Sequence, residues 1–127
     1  MAIHLEGVIP GAPGKVYALL TNGAKLGEVT GRPGKGGGSE GAFFSLFGDW
    51  VQGRQVELVP AERVVQAWRF QDWEPGRYSL VRFTLMPEGT GTRLVVDHEA
   101  YPPELHAHLS SNWKPFYFDP LAKYFGD

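Results

Sequence analysis

The spacing of hydrophobic positions changes period twice along this chain. "AIHLEGVI" (residues 2–9) alternates as a half-buried strand does, and Pro10-Gly11 ends it, because proline cannot donate to a ladder and glycine favours a turn. "PGKVYALLTNG" then sets Val16, Leu19 and Leu20 at i, i+3 and i+4 behind a proline suited to a first helical position, predicting a short amphipathic helix that stops at Asn22-Gly23. "AKLGEVTG" predicts one further turn. From residue 40 the period falls to two: "GAFFSLFGDWVQGRQVELVP", "RVVQAWRF", "YSLVRFTLMP" and "TRLVVDHEA" are strand-like runs bounded by Gly-Asp, Pro-Ala-Glu, Glu-Pro-Gly and Glu-Gly-Thr-Gly, which predicts an antiparallel meander. After Ala100 the helical period returns. Leu105, Leu109, Trp113, Phe116, Pro120 and Tyr124 predict a long terminal helix with one wide apolar face packed on the sheet. Pro115 and Pro120 each remove an intrahelical bond and crowd the carbonyls of Ser111 and Phe116, at about 3 kcal/mol or more each in a regular interior. A kink or break near residues 111–116 follows.

Between the two patterns lies "GRPGKGGGSEG" (31–41), more than half glycine with a lysine inside it. It is not a phosphate cradle. A P-loop places Ser or Thr after the lysine, a strand before and a helix after. Here Gly36 follows Lys35 and "EGAFFSLFG" reads as a strand. The segment is expected to be a surface connector, with a mobile gate as the alternative.

Composition narrows the function classes. With 43% hydrophobic and 20% charged residues in 127, the chain is expected to fold as a single domain over residues 1–127. A net charge of −2 with interspersed signs lacks the basic footprint of a nucleic-acid binder. There is no cysteine, so thiol catalysis and zinc-thiolate sites are excluded. No run approaches the length of a membrane span and the first residues lack a signal pattern, so the chain reads as cytoplasmic with no membrane insertion.

Several stretches together carry a resemblance: "GDWVQGRQVELVPAERVVQAWRF", "W-x-x-G-x-x-S-x-V-x-F-x-L" from Trp73 to Leu85, "GTGTRLVVDHEAYP" and "NWKPFYFDPLAKYF". The chain resembles the activator of heat-shock-protein-90 ATPase homologue family, of the START-like (SRPBCC) helix-grip superfamily. The resemblance implies an α+β fold in which a curved antiparallel sheet wraps a long C-terminal helix, with two short helices after the first strand. It also implies a cavity between sheet and helix that in relatives often takes apolar small molecules. Two departures stand out. Members commonly carry Gly-Trp where this chain has Asn112-Trp113, and a Trp in the second short helix where this chain has "AKLGEVTG".

Strand alternation selects the side chains facing such a cavity. Val81, Phe83 and Leu85 form one inward set, and Leu94, Val96 and His98 another. Placing Arg63 and Arg69 outside turns Gln66, Trp68 and Phe70 in. On the preceding run, Glu57 outside directs Val56 and Leu58 inside, with Arg54 and Trp50 as further candidates. Leu109, Trp113, Phe116 and Tyr117 would face them from the helix. Large rings with a few polar groups are the composition of a ligand pocket.

Other constellations are weaker. Asp97 and Glu99 point away from His98, and no nucleophile elbow supports a triad. His106 and His108 are about 200 degrees apart on a helix and cannot chelate one metal, so they read as a solvated face. His4 and Glu6 share a strand face, but two ligands make no zinc site. No metal or cofactor is assigned. The first reading is a non-catalytic domain binding a hydrophobic, ring-containing molecule or lipid, with Trp68, Phe83, Trp113 and Phe116 as walls and Gln66 or His98 as polar handle. The second is a regulator that binds a chaperone ATPase, with a homodimer also possible. The third is a cyclase-like enzyme using His98.

Overall fold

A computed structural model describes residues 2–126. Seven antiparallel strands form one sheet in the order β1-β7-β6-β5-β4-β3-β2. They are β1 (Ala2–Ile9), β2 (Lys35–Gly36), β3 (Phe43–Leu46), β4 (Val51–Val59), β5 (Arg63–Phe70), β6 (Ser79–Glu88) and β7 (Gly91–Glu99). Helices α1 (Pro13–Leu20) and α2 (Gly23–Thr30) follow β1. A 3₁₀ turn (Pro103–Leu105), α3 (His106–Trp113), a π-helical turn (Lys114–Phe118) and α4 (Asp119–Gly126) complete the chain. The fold class expected from the sequence is the one observed.

The core lies between the sheet's inner face and the C-terminal helix. Val64, Gln66, Trp68 and Phe70 of β5, Ser79, Val81, Phe83 and Leu85 of β6, and Leu94, Val96 and His98 of β7 are all buried. Leu109, Trp113, Tyr117 and Leu121 meet them from the helix. Tyr124, expected on the same helical face, is instead 55% exposed, because the buried stripe runs at four-residue spacing through Leu109, Trp113, Tyr117 and Leu121 and is continued by Phe125.

The helix does not break at its prolines. Pro115 has no N–H to give Ser111, and the chain widens there into the π turn, in which the Asp119 N–H bonds the Lys114 carbonyl. Lys114 Nζ also reaches the Asp119 carboxylate at 3.0 Å. Pro120 falls in the first turn of α4, where a missing donor costs little.

Two local expectations are corrected. The segment holding "AKLGEVT" is a full eight-residue helix, Gly23–Thr30, rather than one turn: the Asn22 side chain accepts from the Lys25 N–H at 3.0 Å, and Gly31 ends the helix in the left-handed region at φ 85°. The run from Gly41 to Pro60 parts at Gly48-Asp49 as expected, in a tight turn where Phe47, Gly48 and Asp49 all have positive φ. The second correction concerns β4. A bulge between Gln55 and Glu57 leaves Val56 without a partner and turns it outward, 53% exposed. Gln55 is inward in its place. Arg54 also faces outward, where its guanidinium donates to the Gly41 carbonyl at 3.0 Å and sits over the Phe43 ring.

The glycine segment is held, not loose. Its residues Lys35 and Gly36 pair with Ser45 and Phe44 of β3, and the Gly48 N–H bonds the Pro33 carbonyl at 2.8 Å. Helix α2 lies on it so closely that a Cβ at Gly27 would stand 2.6 Å from the Gly34 nitrogen, and one at Gly23 would run into the Lys35 carbonyl. Glycine is required here for backbone-to-backbone approach rather than for ligand phosphate.

Candidate functional site

One hydrogen-bond chain threads the deepest part of the core. The Trp113 indole N–H donates to His98 Nδ1 at 3.3 Å, and His98 Nε2 lies 2.8 Å from Ser79 Oγ. Indole only donates, so Nδ1 must accept and the neutral ring carries its proton on Nε2, giving it to Ser79. Ser79 passes its own proton to the Trp68 carbonyl at 3.0 Å. The Trp68 indole N–H in turn donates to Gln66 Oε1 at 3.1 Å. Burial pushes the His98 pKa down to about 4, so the ring is neutral and both nitrogens are engaged.

Rings fill the space around this chain. Trp68 and Trp113 stack with centroids 5.2 Å apart and planes at 20°, and Tyr117 lies 4.8 Å from Trp113. Phe83 packs on both Trp113 and Tyr117 at 5.8 Å. The Tyr117 hydroxyl is buried without a partner, and desolvation raises its pKa.

Toward solvent the packing opens into a recess of about 310 Å³ between the β3–β4 turn, strands β4 and β5, and the helix. Its walls are the faces of Phe47, Trp50, Trp68, Phe70, Trp113, Phe116 and Tyr117, with Val51 and Leu109 between them. Arg32, His108 and Asn112 supply the polar rim. Trp50 and Phe116, at the mouth, are 40% and 44% exposed. A second, more polar cleft of about 400 Å³ adjoins it, sharing Trp50, Phe70 and His108 and adding Trp73, Asp72, Glu74, Arg77 and Glu104.

Of the residues expected to line a cavity, the structure brings Trp50, Trp68, Leu109, Trp113, Phe116 and Tyr117 to the recess. Gln66, Val81, Phe83, Val96 and His98 are inward but lie in the packed core behind it, and Arg54 and Val56 are on the other side of the sheet. Sequence reasoning missed Phe47 because it lies in the turn at Gly48-Asp49, where strand alternation assigns no side chain to a face. It missed Arg32 because the glycine segment's path depends on α2. His108 was read as solvated, and it is exposed, yet its ring meets Phe70 edge to face at 6.4 Å. The Tyr101 hydroxyl hydrogen-bonds Nδ1 of His106 at 2.5 Å, and the two rings stack.

No group of three or more His, Cys, Asp or Glu side chains suited to a metal occurs among the described residues. His4 spends both nitrogens on Asp97 (2.6 Å) and Glu6 (3.0 Å) on the outer face. No helix among them is long and apolar enough to cross a membrane.

A curved sheet closed on a C-terminal helix, with an apolar recess where the two part, defines a helix-grip domain. The chain belongs to the Activator of Hsp90 ATPase homolog 1-like family, whose model matches residues 11–126. It is 24% identical over 115 residues to the human Activator of 90 kDa heat shock protein ATPase homolog 1, covering 91% of this chain and 34% of that protein. The chain thus spans about a third of the length of the curated relatives it matches. Among solved structures, an HSP90 activator from Plasmodium falciparum superposes with a TM-score of 0.90 at 19% identity, covering 99% of this chain and 96% of that one. CalU16 from Micromonospora echinospora superposes at 0.81 and 21% identity, over 98% of this chain and 75% of its own. Both likenesses are of fold.

Proposed function

We propose that the recess binds a hydrophobic, ring-containing small molecule or lipid. The observation that carries this reading is the lining: aromatic faces on nearly every side, polar groups confined to the rim, and large apolar side chains left uncovered at the mouth. Both His98 nitrogens are engaged by Ser79 and Trp113, Gln66 Oε1 accepts from Trp68, and neither side chain lines the recess, which leaves Arg32, His108 and Asn112 as the groups there to orient a ligand. The test is an NMR titration with ring-containing hydrophobic compounds and fatty acids, following the indole N–H signals. Saturable shifts of Trp50, Trp68 and Trp113 are expected. If no compound moves them, the interior is a packed core and the reading fails.

A second reading is favoured by a separate observation, the family itself: a domain that acts by binding a chaperone ATPase. Exposed Trp50 and Phe116 would then seat a partner's apolar side chain rather than a free ligand. Pull-down of a 90 kDa heat-shock protein, with stimulation of its ATPase, is the expected result. Absence of both removes this reading. His98 is not available as a base for cyclase-like chemistry, since its Nδ1 lone pair is taken by Trp113 and the ring does not line the recess.

A further inference from the structure

Three buried side chains in the walls of the recess carry a hydrogen-bond donor, and two of the donors are engaged. The Trp113 indole N–H goes to His98 at 3.3 Å and that of Trp68 to Gln66 at 3.1 Å. The third is the Tyr117 hydroxyl, which has no partner in the chain. Tyr117 is 2% exposed, and its ring lies tilted against Trp113 at 4.8 Å and edge-on to half-buried Phe47 at 5.8 Å.

Three other buried side-chain atoms lack a partner among the described residues: Gln55 Oε1, Arg69 Nε and Trp73 Nε1. None of them belongs to the wall of the recess. Gln55 and Arg69 are each anchored through another nitrogen, Gln55 Nε2 on the Gly37 carbonyl and Arg69 Nη1 on Gln52 Oε1. Tyr117 has no second polar atom to hold it. A hydroxyl taken out of water and left unbonded destabilises the fold, whereas phenylalanine would fill nearly the same space without that penalty. The helix is irregular at the same place: Tyr117 falls in the π turn Lys114–Phe118, a form frequent at functional sites.

We propose that the Tyr117 hydroxyl is the specificity-determining group of the recess, donating a hydrogen bond to an oxygen carried on the ring of a bound molecule. This role rests on the reading of the recess as a ligand site and names the class of ligand: neutral cyclic ketones and quinones, in preference to hydrocarbons and fatty acids. A carbonyl oxygen accepts what the phenol offers. The groups around the phenol are rings, Phe47, Trp68, Phe83 and Trp113. A carboxylate is disfavoured among them, because burying its charge without a cation costs far more than one hydrogen bond returns. A hydrocarbon leaves the hydroxyl as unpaired as it was. Arg32, His108 and Asn112, at the rim, meet whatever the outer end of the ligand carries.

Tetralin and α-tetralone share a two-ring skeleton and differ by a carbonyl in place of a methylene, so they are matched probes for a recess of about 310 Å³. Titration calorimetry gives the ratio of their affinities. Tyr117→Phe is expected to lower the α-tetralone to tetralin ratio about tenfold, as the loss of one buried hydrogen bond implies, while thermal melting shows the variant folded and no less stable than the parent. A second measurement needs no variant: the infrared carbonyl stretch of α-tetralone bound to the unaltered protein should lie below that of the compound in a hydrocarbon solvent. An affinity ratio indifferent to Tyr117→Phe, or a bound carbonyl that vibrates as it does in hydrocarbon, overturns the role of Tyr117 alone. Failure of both compounds to bind overturns it together with the ligand reading.

Discussion

Trp113 donates its indole N–H to Nδ1 of His98, with the two rings nearly perpendicular at 87° and 5.6 Å between centroids. Helix and sheet are joined at that point by a directed polar contact inside an otherwise aromatic core. The contact also settles the histidine tautomer, and with it the direction of every bond from Trp113 to the Trp68 carbonyl.

Stability should therefore fall with acid in a defined window. The folded pKa of His98, about 4, lies below the ordinary value of 6.5, so the unfolded chain binds the proton more readily. The neutral ring costs nothing above pH 6.5, and stability is lost as pH falls from 6.5 toward 4, by about 3 kcal/mol in all from this group. Urea unfolding at a series of pH values checks this. His98→Gln should flatten the profile over that interval; an equally steep profile in the variant would assign the loss to other groups.

Trp113→Phe keeps most of the ring packing but removes the donor, leaving Nδ1 of a fully buried histidine unpartnered. A loss of about 1–3 kcal/mol is expected, read from the shift in urea midpoint. Trp113→Ala should cost more, about 3–5 kcal/mol, because it also opens a cavity beside Trp68.

Phe116→Ser should separate the recess from stability. Its ring is 44% exposed at the mouth and touches Phe47, so the stability loss should be about 1 kcal/mol, well short of the roughly 3–5 kcal/mol of a fully buried ring. Binding of an apolar fluorescent dye should weaken. Unchanged dye binding would place the apolar site elsewhere.

The glycines divide into two kinds by what surrounds them. Gly27→Ala pushes a methyl group to within 2.6 Å of the Gly34 nitrogen and is expected to destabilise by about 1–3 kcal/mol. Gly14 lies in α1 with nothing within 4 Å of an added Cβ, and Gly14→Ala should stabilise by about 0.5–1 kcal/mol. Thermal denaturation of the two variants should give shifts of opposite sign.

Much of this protein was determined by its sequence alone. Period-two alternation put Gln66, Trp68, Val81, Phe83, Val96 and His98 on one side of the sheet, because a strand's side chains can take only two directions and the apolar set claims the core. The helix–strand order and the quoted motifs carried the family. Tertiary structure alone decided where that side is packed and where it is open. Val56 went outward because one bulge shifts all that precedes it by a residue, and periodicity cannot place a bulge. Pro115 predicted a kink or break, and the regular α-helix is interrupted there by a π turn that absorbs the missing bond while Trp113, Tyr117 and Leu121 stay packed on the sheet. The recess itself arises from residues distant in sequence, Arg32, Phe47, Trp68 and Phe116 among them, brought together by the sheet's curvature against the helix. Its volume depends on how rings interdigitate in three dimensions, which is a property of packing and not of spacing along the chain.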